Sequence, residues 1–400
     1  MSQVTVDLDE DRKYRVVETQ ANIEFDIRGV LSRADYPRRL FAGLDDLPLS
    51  TLESSLQNTQ ILTLGLRLTN VCNYDCIYCG TAAKRGRDTA SVLTTAEYKD
   101  LIDQAAELGA RCVIFGANGE PTMTRDVLEL LRHVGARGMT PLIFSNMSII
   151  GNDAMCRRLH GVDGIEFLRR LDEAGTSLII SVESLRREPY NHIMGVETYD
   201  YFLEAIERVR KHSTLTRARE YQGRPLCRVA VSAVVMPINY EERHDLVEFA
   251  HSLNGLVILK PPSLHGSAAT HRDQMFSVED AIRIRPELEA LSDKQATLQI
   301  LTLACGSWTL GFSVDNEGNF MSCMTEEVNP FHQAANARNT RLSELVNRRN
   351  ELVKLRSTVC PVKDKFYVRT PTVEAAAAYV EGTLAESSPT GRISLPIIGR

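Results

Sequence analysis

Three cysteines in eight residues constrain this chain more than any other feature. The stretch Val71-Cys72-Asn73-Tyr74-Asp75-Cys76-Ile77-Tyr78-Cys79-Gly80 spaces them C-x3-C-x2-C, directly after the apolar-alternating run Leu62 to Thr69. Three thiolates on one short loop can hold three corners of a cubane iron–sulfur cluster and leave the fourth iron to a ligand that is not protein. Structural zinc is usually four-coordinate, with paired cysteine units or histidine partners at regular spacing. Here there is one triplet. A disulfide framework does not suit a 400-residue chain whose first residues, MSQVTVDLDEDRKYR, lack the plan of a signal peptide.

The length allows one large core plus an appendage. Hydrophobic residues make up 43% and charged residues 24%, an ordinary globular balance. A net charge of −6 gives no global footprint for nucleic acid. No apolar run reaches the ~18 residues a membrane span needs. The nine cysteines are odd in number and irregularly spaced, which suits thiols serving metal chemistry in a reducing cytoplasm.

From about residue 60 the chain alternates between two kinds of segment. Apolar, β-branched runs occupy Leu62–Thr69, Cys112–Gly116, Leu142–Ser145, Ser177–Val182, Arg228–Val235 and Leu256–Leu259. Helical spacing fills Thr95–Leu108, Arg125–Gly135, Ile165–Ala174, Tyr199–His212 and Glu241–Leu253. Such alternation predicts βαβ units and a parallel sheet. In (β/α) barrels the active site lies at the C-terminal ends of the strands, so each strand-end residue becomes a candidate.

Strand two runs into Gly116-Ala117-Asn118-Gly119-Glu120-Pro121, where glycines permit close backbone approach and Pro121 fixes the turn. Strand three ends in Ser145-Asn146-Met147, two side chains able to bond a ligand or to form an Asx-type turn. Strand four ends in Ser181-Val182-Glu183-Ser184, and period-two alternation puts Ser181 and Glu183 on one face. A helix N-cap is the bland alternative there. Asn239 follows strand five, and strand six leads into Lys260-Pro261-Pro262-Ser263-Leu264-His265. Lys260, His265 and Asn239 are candidate substrate contacts; a solvated basic loop explains the first two equally well.

Taken together, these motifs resemble the radical S-adenosylmethionine (radical SAM) family, over roughly residues 60 to 365. The resemblance implies an α/β fold built on a partial (β/α)6 TIM-type barrel. It implies that Cys72, Cys76 and Cys79 hold a [4Fe–4S] cluster whose open iron binds SAM. One electron would then cleave SAM to a 5'-deoxyadenosyl radical that abstracts hydrogen from substrate. Tyr78 fits the aromatic position before the last cysteine. Asn118, Gly119 and Glu120 match the family's Gly-Gly-Glu-Pro element, with Asn118 standing for the first glycine. Ser145 and Asn146 match a Thr-Asn-Gly element, and Ser181 and Glu183 a polar strand end that contacts SAM, with Glu183 set to pair the ribose hydroxyls. Many relatives carry an Arg near Met194; its absence makes Arg228 the candidate partner for the SAM carboxylate. An external donor of the flavodoxin or ferredoxin type would supply the electron.

Further along, Val278–Leu291 reads as a helix, and two alternating runs joined by Asp315-Asn316-Glu317-Gly318 predict a β-hairpin. Cys305 and Cys323 enclose it, Arg341 to Leu355 is helical, and Cys360-Pro361 follows. This resembles the SPASM auxiliary-cluster domain in its short "twitch" form, a hairpin plus helix. Three cysteines leave a fourth cluster position for substrate, for Asp364 or His332, or for Cys227, Cys112 or Cys156 folding back. Cys112 and Cys156 are expected to be structural. The boundaries are then an N-terminal extension (1–60), the partial barrel (61–275), a twitch-like domain (276–370) and a tail (371–400). The expected reaction acts on a small polar molecule (a sugar, aminocyclitol or nucleotide, in natural-product biosynthesis) with an auxiliary cluster assisting. The alternatives are maturation of a ribosomally made peptide, which would ask for a longer N-terminal module, and a non-catalytic electron-transfer or scaffold protein, which would need no SAM pocket.

Overall fold

The six apolar runs become six parallel strands: β1 (Thr63–Leu66), β2 (Cys112–Phe115), β3 (Thr140–Ser145), β4 (Ser177–Ser181), β5 (Val229–Val234) and β6 (Leu256–Lys260). The computed structural model describes residues 60–80, 88, 91–116, 118–221, 224–262, 266–293, 311–321 and 335–346, and the backbone of short strands in the first 40 residues. Between the strands run α1 (Thr95–Glu107), α2 (Val127–Ala136), α3 (Ser148–Gly151), α4 (Asp153–His160), α5 (Gly164–Glu173), α6 (Arg187–Met194), α7 (Tyr199–His212) and α8 (Arg243–Ser252). After β6 come α9 (Ser267–Thr270) and α10 (Val278–Leu291). Each strand lies beside its sequence neighbour, so every crossover returns one step along the sheet. That singly wound order packs the helices on one face and is the arrangement of a partial barrel.

Alternation decides which face is covered. Leu64, Leu66, Val113, Phe115, Ile143 and Ile180 join the buried faces of the helices in one core. Their alternates, among them Gly65, Ile114, Phe144 and Ser181, lie outside that core and line the opposite, concave face. The helices are set by local signals as well as by the core. Thr94 begins α1 with a capping box, its hydroxyl accepting from the Glu97 amide while the Glu97 carboxylate accepts from the Thr94 amide at 2.7 Å. Phe167, Leu168 and Leu171 form the buried stripe of α5, whose N-cap Asp163 accepts from the Glu166 amide at 2.9 Å.

The predicted hairpin forms, as β7 (Gly311–Val314) and β8 (Phe320–Met321), with Asp315 Oδ1 accepting from the amides of Glu317 and Asn319. Its position differs from the expectation of a separate domain. β7 pairs in parallel with β1, Gly311 opposite Thr63, and makes an eight-stranded sheet of order β6-β5-β4-β3-β2-β1-β7-β8. Phe312 and Val314 enter the same core as β1, which is why the strand extends the sheet. Residues 342–346 are helical, within the helix expected there. Near the N-terminus Val4–Leu8, Tyr14–Glu18 and Ala21–Phe25 pair as an antiparallel meander. Cys305, Cys323, Cys360, Asp364, His332, His265 and residues 41–59 fall outside the described residues. Among the described residues no helix is long and apolar enough to cross a membrane.

Candidate active site

The cysteine loop sits where β1 ends, and neighbouring elements pin its main chain. Asp75 N donates to Met194 O (3.0 Å) and Ile77 N to Ile193 O (3.0 Å), both from the end of α6. Glu120 N donates to Val71 O (2.9 Å) and Ser267 N to Cys79 O (2.8 Å). Two glycines make this closeness possible. A Cβ on Gly119 would fall 2.5 Å from Thr69 O, and one on Gly266 2.4 Å from Cys79 O; both residues have positive φ. Ile77 is buried against Ile193, Val234, Met236 and Ala268, an apolar layer that keeps water from one side of the loop.

Cys72, Cys76 and Cys79 are half-buried thiols, none in a disulfide, within one another's electrostatic reach. Burial, with Glu120 and Cys79 adding to it, pushes Cys72 up to about 12, and burial followed by Glu183 raises Cys76 well above the usual thiol range. The Tyr74 amide faces Cys72 Sγ at 3.4 Å, Asn146 Nδ2 approaches it at 3.9 Å, and Cys76 Sγ lies 3.5 Å from Met194 Sδ. No cation is among the causes that shift the Cys72 and Cys76 thiols. Such thiols keep their protons until a metal replaces them. Among the described residues, no three His, Cys, Asp or Glu side chains converge as ligands of a single metal ion. A cubane makes a different demand, because each thiolate takes its own iron and the sulfurs stand around a group several atoms wide. The donor set and the pinned loop fit that group.

The strand ends meet this loop. Glu120, 2% exposed, is bonded at both oxygens: Oε1 accepts from Thr122 N (3.1 Å), Thr122 Oγ1 (2.5 Å) and Ser145 Oγ (3.0 Å), and Oε2 from Asn146 N (2.7 Å). Its carboxylate therefore ties β2 to β3. Burial raises its pKa despite those donors. Asn118 Nδ2 bonds Asn70 Oδ1. Asn146 donates to Asn73 Oδ1 (3.0 Å) and accepts from Ser148, so it braces the cysteine loop. Met147 has φ of 67°, the left-handed conformation the family's glycine would take without strain.

Glu183, 1% exposed, reaches the cysteine loop directly. Its Oε1 accepts from the Tyr78 hydroxyl at 2.6 Å, while Oε2 is buried without a partner. Burial raises this carboxyl to about 7, with Tyr78 and then Lys260 pulling the other way. Burial lowers the Lys260 ammonium, and Glu183 opposes that. Asn239, expected as a substrate contact, is wholly enclosed and bonds the main chain at Glu183 O (2.5 Å), Val234 O (3.0 Å) and Met236 N (2.6 Å). Ser181 is half-buried on the concave face below Glu183. Arg228 is a clear correction. It precedes β5, at the opposite end of the sheet, and pairs with Asp172 at 2.6 Å and Thr176 O at 2.7 Å.

Two features escaped the motifs. Arg67, 5% exposed, stands on the concave face just past β1, and the alternation Leu64-x-Leu66-x-Leu68 was its signal. Asp88 accepts from Thr69 Oγ1, from Asn70 N (2.8 Å) and from Asn316 Nδ2 (3.3 Å), which ties the hairpin turn to the residues leading into Cys72.

The sequence pattern of the radical SAM superfamily matches residues 66–250, the segment that carries this loop and these strand ends. Residues 66–250 are a radical SAM superfamily domain. Enzymes of this superfamily use a [4Fe–4S] cluster and SAM. A probable GTP 3',8-cyclase of Thermococcus kodakarensis is 29% identical over 237 residues, 58% of this chain and 67% of the relative. Those of Metallosphaera sedula and Pyrococcus abyssi are each 26% identical, over 55% and 50% of this chain. The chain spans only 62% and 56% of those two relatives. Its fold is similar to that of Streptococcus suis SuiB bound to S-adenosylmethionine, with TM-score 0.52 and 15% identity over 74% of this chain and 68% of that one.

Proposed function

We propose that this enzyme reductively cleaves SAM and abstracts hydrogen from a small polar substrate, with a nucleotide the favoured class. The observation that carries the reading is the meeting, at one end of the sheet, of three pinned cysteines and a buried carboxylate with an unused oxygen. Relatives named probable GTP 3',8-cyclases support the nucleotide. The likeness to SuiB, whose precursor-peptide complex is among the similar structures, is one of fold and does not favour a peptide.

In this reading Cys72, Cys76 and Cys79 would hold the cluster, with SAM bound beside them. Bound together, these groups supply the electron transfer and the hydrogen abstraction. The chain's own residues orient and exclude. Asn146 and the Tyr74 amide face the Cys72 sulfur, and Met194 covers Cys76. Gly119 lets the β2 turn approach the loop, while Glu120 holds Ser145 and Asn146 in place behind it. Glu183 Oε2 accepts a ribose hydroxyl of SAM, and Tyr78 holds the carboxylate at its other oxygen. Cys305, Cys323 and Cys360 are proposed to hold an auxiliary cluster, with its fourth position open to substrate or filled by Asp364 or His332. His265 is proposed to contact substrate. A flavodoxin- or ferredoxin-type donor would deliver the electron.

The test is iron and sulfide content after anaerobic reconstitution, with SAM binding by calorimetry, for the native chain and for Cys72→Ala/Cys76→Ala/Cys79→Ala. Two cubanes predict roughly eight irons falling to roughly four, with SAM binding lost. Four falling to none would withdraw the auxiliary cluster. SAM binding retained by the triple variant would overturn the reading.

A further inference from the structure

The end of α6 is built onto the cysteine loop residue by residue. Ile193 O accepts from Ile77 N and Met194 O from Asp75 N, both at 3.0 Å, so carbonyls that a helix end leaves orphaned are spent on this loop. Gly195 closes α6 in the left-handed conformation, and a Cβ there would fall 2.3 Å from Asp75 O. Met194 is wholly buried, in the core against which Cys76 also packs. Its Sδ lies 3.5 Å from Cys76 Sγ, with the thiol as the donor. Cys72 is surrounded differently: the Tyr74 amide and Asn146 Nδ2 turn N–H groups toward its sulfur. The Tyr78 hydroxyl also faces Cys76, but its short bond goes to Glu183 Oε1.

That asymmetry matters once a metal takes the place of the thiol proton. A thioether accepts hydrogen bonds but has no proton to give, so Met194 covers the Cys76 sulfur and returns no donor. Hydrogen bonds to the sulfurs and access of water are two of the levers that set the reduction potential of an iron–sulfur cluster. Each donor offsets thiolate charge and makes an added electron easier to hold. The carbonyl end of α6 places partial negative charge on the same side, which works the other way. We propose that Met194 is a potential-setting residue, a dry and protonless cover over Cys76 that keeps the cluster strongly reducing. This role rests on the cluster reading above. A low potential is what reduction of a sulfonium demands, and Met194 supplies it without touching either SAM or substrate.

The experiment is an EPR-monitored potentiometric titration of the reconstituted full chain, following the signal that is lost in Cys72→Ala/Cys76→Ala/Cys79→Ala. Native protein is compared with Met194→Leu, Met194→Gln and Met194→Lys, and iron content and melting are checked for each. Leucine keeps the volume and offers no donor, so Met194→Leu should titrate with the native chain. Glutamine has a similar length and brings an N–H donor. At the native midpoint, where reduced and oxidised forms are equal, Met194→Gln should hold about ten reduced clusters for each oxidised one, a 59 mV rise for one electron. Met194→Lys should move in the same direction and guards against misfolding of the glutamine variant. Donor variants that share the native midpoint, a rise in Met194→Leu as large as in Met194→Gln, or failure of both donor variants to load iron would make Met194 a packing residue and overturn the proposal. A native chain that takes up no iron would instead overturn the cluster reading itself.

Discussion

A carboxyl enclosed as deeply as Glu183 makes the stability of the apoprotein depend on pH. Its folded-state value of about 7 lies above the ordinary glutamate value of 4.5. Between those two values the folded chain keeps a proton that the unfolded chain has released, so stability falls as pH rises through the window and stays lower above it. The shift corresponds to ~3 kcal/mol. Glu183→Gln, which cannot ionise, should therefore gain in unfolding temperature relative to the parent at pH 8 compared with pH 5. A constant difference between the two would rule this out. Arg228 invites the opposite kind of substitution. Arg228→Met strands Asp172 and should cost ~3–5 kcal/mol in denaturant unfolding while leaving SAM affinity unchanged. A loss of affinity in the folded variant would return Arg228 to the cofactor site. Residues whose role depends on near neighbours were legible in the sequence: the spacing of Cys72, Cys76 and Cys79, and the alternation that paired Ser181 with Glu183. Asn239 was misread because its partner, Glu183, comes from another strand.

At the scale of elements, the six strands and the longer helices were legible because each buries one face and so repeats at its own period. The short helices α3 and α6 were not, since little more than two turns carry no readable stripe, yet α6 places Met194 against Cys76. The turn into α9 shows how tightly such elements are fitted. Gly266→Ala would put a methyl group 2.4 Å from Cys79 O and 2.5 Å from Gly80 O at a left-handed φ. Main chain cannot yield there without moving the third cysteine. This variant should retain less than half the native iron per chain after reconstitution while its apoprotein still melts cooperatively. Full retention would mean that the loop tolerates displacement.

For the whole molecule, the hairpin was legible but its docking was not, because nothing in a local pattern says which edge a strand will join. β7 covers the outer edge of β1, the strand that delivers Cys72. A chain ended before Gly311 would leave that edge bare, and bare edges pair with other chains. Such a truncation should run as aggregate in size exclusion and hold little iron; a monomer with a full cluster would show that the edge needs no cover. The same pairing has a consequence in time. Thr63 and Gly311 are about 250 residues apart in the sequence. At ~5–20 residues per second, a ribosome needs roughly ten seconds to a minute to make the second after the first. Throughout that interval the cysteine loop hangs from an unfinished sheet, so any factor that loads iron onto the nascent chain meets a cradle still missing one wall.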